Sequence, residues 1–347
     1  MSSPGTSRVT MAEVARRSGV SPMTVSYCYN QPDRVAPETL RRVRAVAAEL
    51  GYRGPDPTAR SLRRRRTGTI GVVLGEHLAY AFEDPQARSF LTGVAEVCRE
   101  RGTGLNLIPT TGEDTDVERV TSASVDGYIL WTTADSDPVL PVVTGRGKPV
   151  AVHGGPAVDG ARVVTIDNRA SARKLAAHVF AGAARPAVLS FPFGRDRTAR
   201  MATGPDPEGV EFPVTRDRLR GVVEHCRDAG LDIRALPVAV VARNDRAEAA
   251  AQADALLDTG ADAVVAMSDQ LAFAVLDAAR RRGLRVPADV AVGGWDDGPE
   301  ADREGLTTIT QSLHDQGRAC ALIALGADAQ DSGTWRLTVR TSTRARS

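Results

Sequence analysis

Thirteen arginines and no lysine fall within residues 1–66, against five acids (Glu13, Asp33, Glu38, Glu49 and Asp56), a balance of +8. The rest of the 347-residue chain carries 31 basic and 38 acidic side chains, a balance of −7. Guanidinium forks in that density suit phosphate oxygens, so a polyanion-binding head on a mildly acidic body is expected. Enzyme chemistry finds no comparable footing. There is no Gly-rich phosphate loop ending in Lys, no Gly-x-Ser-x-Gly elbow and no His-Glu-x-x-His pair. Of the five histidines, His77 and His153 follow expected strands and could face a cleft, although surface placement is the favoured reading. Cys28, Cys98, Cys226 and Cys320 show neither metal nor redox spacing, so no metal and no cofactor are expected. They read as reduced thiols of a cytoplasmic protein. The polar start, Met1 to Thr10, lacks the apolar stretch of a secretory signal, and no apolar run is long enough to span a membrane.

The elements that would carry the head's chemistry are three short helices. Thr10 precedes Met11-Ala12-Glu13 as a capping box, and Gly19 is placed to end that helix. Ser21 then caps a second helix with Pro22 in its first turn, continuing through Thr24, Val25 and Ser26 to about Asn30. Two helices separated by Gly-Val-Ser form a helix-turn-helix signature. A third, from Pro37 to Leu50, puts Leu40, Val43, Ala47 and Leu50 on one face and stops at Gly51.

The run from Val9 to Ser26, with Asn30, Val35, Thr39, Val43 and Leu50-Gly51-Tyr52 at matching spacing, resembles the head of lactose-repressor (LacI/GalR-type) regulators. The resemblance implies that the second helix enters the major groove, with Pro22, Met23 and Tyr27 at base edges. Many relatives carry Arg at the last position, so the bidentate guanine fork is missing and apolar contact to thymine methyls takes its place. Thr10, Ser21, Thr24, Ser26 and Asn30 suit phosphate oxygens, and Cys28 and Tyr29 suit packing. Residues 54–67 read either as a solvated basic linker or, by the resemblance, as a hinge helix that forms on operator DNA. In that second reading Ala59 and Arg63 lie on the DNA, and Leu62 is a minor-groove wedge.

Beyond Gly68, apolar strands alternate with amphipathic helices. Ile70–Gly75, Leu105–Pro109, Tyr128–Thr132 and Val150–His153 read as strands, as do Ala187–Phe191, Val238–Ala242, Ala263–Met267 and Val290–Gly293. Helical windows include Gln86–Arg101, Arg216–Ala229 and Ala247–Leu257. Such alternation implies doubly wound parallel sheets with ligands beyond the carboxyl ends of their strands. The body resembles the periplasmic-binding-protein-like core of the same family, carried by Thr69–Val73, Val125–Tyr128, Ile166–Asn168, Arg218–Gly221, Val286–Val290, Gly294–Asp297 and Leu306–Gln311. It implies an N-terminal lobe (68–166), a C-terminal lobe (167–297) and a crossover segment returning between the lobes (298–347), following a head at 1–53 and a linker at 54–67.

Position by position, the resemblance places Arg218 and Asp296 on the polar groups of an effector, with Trp131 and Ser268 beside it. A structural Arg–carboxylate bridge is the alternative for Arg218. Tyr80 and Phe82 suit either an aromatic floor for a sugar ring or core packing. Ser268-Asp269 in place of a common Asn-Asp, and Gly154-Gly155 without an acid, point away from a common hexose. The loop Gly194–Pro213 reads as a flexible surface excursion, or else as a mobile loop at the cleft mouth. The function expected is a homodimeric, operator-binding repressor controlled by a sugar or nucleoside-like effector. A solute-binding protein without a regulatory role is the alternative.

Overall fold

The computed structural model describes residues 9–54, 66–113, 115–330 and 333–344. It divides into two compact units, Met1–Thr67 and Gly68–Ser347. Ala59, Leu62 and Arg63, and with them the hinge-helix reading, lie outside the described residues.

In the first unit α1 (Met11–Ser18), α2 (Pro22–Asn30) and α3 (Pro37–Glu49) enclose a small core. The Thr10 side chain accepts from the Glu13 amide, and Gly19 closes α1 in the left-handed region at φ 69°. A β-carbon is disfavoured there, which is why glycine makes this turn. Ser21 Oγ accepts from the Thr24 amide and starts α2. Val14, Ala15, Val25, Cys28, Val43 and Ala47 are buried together, with Leu40 and Leu50 partly buried against them. Cys28 is therefore a packing residue, and the Tyr29 ring meets Tyr52 edge-on at 5.9 Å.

The second unit holds two lobes. The first lobe begins with β1 (Thr69–Leu74), α4 (Pro85–Arg101), β2 (Gly104–Pro109), β3 (Gly127–Trp131), β4 (Val150–His153) and β5 (Arg162–Val164). Its sheet runs β2-β1-β3-β4-β5, all parallel. The chain then crosses to α5 (Asn168–Val179), β6 (Pro186–Ser190), β7 (Arg200–Thr203), α6 (Pro213–Asp228), β8 (Pro237–Val240) and α7 (Ala250–Asp258). It continues through β9 (Ala263–Ala266), α8 (Asp269–Arg281), β10 (Ala291–Asp296), β11 (Thr307–Thr310), α9 (Leu313–Ala324) and β12 (Arg336–Thr338). The second sheet runs β12-β11-β10-β9-β6-β8-β7, parallel except at its two edges.

The segment after residue 298 serves both lobes. Its β11 and β12 extend the second sheet, while α9 packs on α4 of the first lobe. That packing is close: a β-carbon at Gly317 would sit 2.1 Å from the Phe90 carbonyl oxygen. Only glycine lets these helices approach so far. Chain passages at 164–168 and 310–313 therefore tie the lobes together, and α9 in the first lobe is followed by β12 in the second sheet.

Two expectations are corrected. Residues 194–213 are not a structureless excursion, because β7 pairs antiparallel with β8 inside them. Alternation of apolar residues is weak in that strand, whose side chains are mostly exposed. His153 is not a surface residue, because it closes a fully parallel strand and faces the cleft between the lobes.

Candidate nucleic-acid interface and ligand cleft

The apolar residues of α2 point inward at Val25 and Cys28, which leaves Ser21, Pro22 and Met23 outward at its N-terminal end. Met23 is 64% exposed. Tyr27 and Ser26 are half-exposed along the same helix, and Asn30 donates to Ser26 Oγ at 3.1 Å. Ser21 and Thr24 hydroxyls lie 2.9 Å apart. The surface so made has a positive helix end, short polar groups and an apolar tip.

In the second unit the carboxyl ends of β1, β3, β4 and β10 open on one cleft, with about 960 Å³ of space that includes its solvent-open mouth. Both sheets reverse direction of winding there, at β1/β3 and at β6/β9, where such folds bind ligands. Three wall residues, Thr132 (φ 58°), Arg197 (φ 48°) and Asp296 (φ 109°), sit in the left-handed region. Such conformations are uncommon for residues with a side chain and cluster at ligand sites.

Arg218 is the buried cation of the cleft. Its Nε donates to Asn168 Oδ1 at 2.9 Å and its Nη1 to the Met267 carbonyl. The guanidinium lies over the Trp295 ring at 3.8 Å. Burial lowers its pKa to about 10, so it remains charged at neutral pH. It does not form the direct bridge to Asp296; the Asp296 carboxylate takes a bond from Gln311 Nε2 at 2.8 Å instead. Burial holds the Asp296 carboxyl well above its ordinary range, and the Arg218 charge opposes that. Opposite them Trp131 packs against Phe90 and Tyr80, with centroids 4.5 and 6.2 Å apart. Asn244 donates to Asp84 Oδ2 at 2.9 Å, joining the second lobe to the cap of α4. Arg197 reaches across to Glu76 and to the Gly75 carbonyl, both at the end of β1.

Residues 10–54 match the family of bacterial regulatory proteins, lacI family, and residues 197–343 match the periplasmic binding protein-like domain. An HTH-type transcriptional regulator of Mycobacterium tuberculosis is 38% identical over 328 residues, covering 91% of this chain and 90% of its own. The chain belongs to the lacI family. The structure of a LacI-family regulator from Corynebacterium glutamicum, 29% identical, superposes with TM-score 0.70 over 96% of this chain and 98% of its own. A complex of the transcriptional regulator CelR with cellobiose, 27% identical, does so with TM-score 0.65 over 96% and 100%.

A lacI-family protein is a DNA-binding transcriptional regulator, and this chain is one. Within it the cleft gathers Tyr80, Trp131, Arg218 and Asp296 from the residues singled out in the sequence. Phe82 does not join them, since it stands 61% exposed and outside the cleft lining. One turn of helix, Tyr80–Glu83, turns its ring away from Tyr80. Ser268 is also outside the lining: buried, it caps α8 at the Leu271 amide and donates to Asn244. Sequence reasoning missed Glu76, Asn168, Arg197, Asn244, Gln311 and Gln316 in the wall. The signal available for Asn168 and Gln311 was their place in segments already matched to the family.

Proposed function

We propose that this lacI-family regulator reads operator DNA as a homodimer, and that a neutral, hydroxyl-rich molecule in the cleft sets its operator affinity. The observation that carries the ligand reading is Arg218, a buried cation whose Nη2 has no hydrogen-bond partner among the described residues. A donor left open at the floor of a cleft beside an accepting carboxylate suits a hydroxyl, which both donates and accepts. The Trp131 and Tyr80 faces suit the apolar side of a sugar or nucleoside ring. The cleft lining sets two acids, Glu76 and Asp296, beside two arginines, Arg197 and Arg218, with Arg197 and Glu76 in a direct ion pair. A similar regulator is found with cellobiose.

On the DNA side Pro22, Met23 and Tyr27 read base edges, while Thr10, Ser21, Thr24, Ser26 and Asn30 hold phosphates. Ala59, Leu62 and Arg63 form the minor-groove contact, with Leu62 as its wedge. Dimerisation through the first lobe matches protein symmetry to a two-fold operator. A solute-binding protein would have no use for the helix-turn-helix. The test is a thermal-shift screen of the full chain with glucose, galactose, xylose, cellobiose, ribitol and adenosine, followed by gel shifts on DNA upstream of its gene. At least one member should stabilise the core and change operator affinity. Stabilisation by none of them would overturn the ligand reading, and equal binding to unrelated DNA would overturn the operator reading.

A further inference from the structure

A hydrogen-bond chain runs through the cleft wall from one lobe to the other. The ring of His153, at the end of β4, packs on Phe90 and edge-on to Trp131, with centroids 4.9 and 5.9 Å away. Its Nε2 lies 2.7 Å from Oε1 of Gln316 in α9. Gln316 Nε2 donates to Gln311 Oε1 at 3.1 Å, and Gln311 Nε2 donates to Asp296 Oδ1 at 2.8 Å. Gln316 is buried at 1% exposure, so its amide cannot turn to water and needs both partners.

The chain has a direction. Gln311 turns its NH₂ end to Asp296, and its Nε2 donates to Oδ1, an oxygen that still accepts when the other carboxyl oxygen holds a proton. The Gln311 carbonyl must then accept from Gln316, whose own carbonyl is left facing His153. The His153 Nε2 therefore carries the ring hydrogen. Burial pulls the His153 pKa down to about 4, so the ring is neutral at pH 7 and has one donor only. Nδ1 remains as an acceptor. It has no partner among the described residues and is not sealed from solvent-accessible space, and the space that His153 lines is the cleft.

We propose that His153 determines specificity in the cleft: Nδ1 accepts a hydrogen bond from a hydroxyl of the bound molecule, and the Gln316–Gln311–Asp296 chain holds the tautomer that makes this possible. Molecules presenting a carbonyl or carboxylate oxygen at that point meet a lone pair and are rejected. This rests on the reading of the cleft as a ligand site, and it adds which group of the ligand faces the first lobe. His153 acts from the first lobe and Asp296 from the second, so one directed chain sets the acceptor character of both walls.

Nitrogen-15 spectra of the full chain labelled at its five histidines, with His153 assigned from His153→Phe and His153→Asn variants, read the tautomer directly. A protonated Nε2 and a bare Nδ1 at neutral pH are expected; a proton on Nδ1, or an imidazolium, would overturn the proposal. Titration with glucose, galactose, xylose, cellobiose, ribitol and adenosine follows. The binding member should shift Nδ1 while Nε2 keeps its hydrogen. His153→Phe should weaken that binding about tenfold, and His153→Asn, which keeps an acceptor, by about threefold or less. Unchanged affinity in His153→Phe with an unmoved Nδ1 would overturn the proposal and leave the ligand reading standing. If no member binds, the ligand reading fails and this assignment with it, a case told apart by an intact Nε2–H tautomer.

Discussion

Replacing Arg218 by alanine deprives two buried acceptors, Asn168 Oδ1 and the Met267 carbonyl, of a charged donor. A hydrogen bond to a charged partner contributes about 1.5–3 kcal/mol, so the two together represent about 3–6 kcal/mol. Two effects offset that loss. The cation itself is desolvated where it lies, and removing it relieves that cost. Water from the cleft can also enter the vacated space and serve the stranded acceptors. A net loss of about 2 kcal/mol of core stability is expected, roughly 4 °C in midpoint for a unit of this size. All three tryptophans (Trp131, Trp295 and Trp335) lie in the second unit, so their fluorescence during heating reports that unit alone. Arg218→Ala should also lose its response to the cleft ligand, while its affinity for operator without ligand stays within about twofold, since Arg218 and α2 lie in separate units. An unchanged midpoint together with an intact ligand response would refute the role given to Arg218.

Met23→Ala and Tyr27→Ala should relax preference at particular base pairs by roughly 1–3 kcal/mol in gel-shift competitions; equal weakening on all sequences would remove them from the reading surface. Gly317→Ala should destabilise the core by about 1–3 kcal/mol or more, by driving a methyl against the Phe90 carbonyl and parting α4 from α9, visible as a lower tryptophan-fluorescence midpoint. Burial raises the Asp84 carboxyl to about 6, above its unfolded value, so the native state holds its proton more tightly. Its ionisation therefore costs stability above pH 6, and that cost is regained as pH falls towards 4. Urea titrations should show wild type gaining on Asp84→Asn over that window by on the order of 2–3 kcal/mol; a constant difference would contradict it.

The head was legible residue by residue because its signals are local. Thr10, Gly19, Ser21 and Pro22 each act within one turn of helix, and the pairs Val14/Ser18, Val25/Cys28 and Val43/Ala47 each stand at helical spacing within one helix. The buried parallel strands were legible for a related reason, since Val150–Val152 and Ala263–Ala266 are continuous apolar runs of the kind a strand buried on both faces carries. The edges were not: β7 is largely exposed and β12 partly buried, each is paired on one side only, and they carry little apolar pattern. The cleft was half legible. Arg218 and Asp296 stand in segments whose family pattern is dense, whereas Phe82 was placed by its proximity to Tyr80 along the chain, and a single helical turn separates the two. His153, Gln311 and Gln316 meet only through the pairing of β4 with β3 and the packing of α9 on the first lobe, contacts between residues up to 163 positions apart. Nothing in the spacing of those three residues announces their chain.

Cleft occupancy and operator binding, as proposed, share one free energy. Linkage requires that a ligand changing operator affinity by a given factor have its own affinity changed by operator by the same factor. The decisive measurement is calorimetric: cellobiose, or whichever member of the panel binds, titrated into the full-length protein with and without operator DNA, beside operator titrations with and without that molecule. The two ratios should agree and correspond to about 1–3 kcal/mol of coupling. Operator affinity that is the same with the cleft filled and empty would contradict the account.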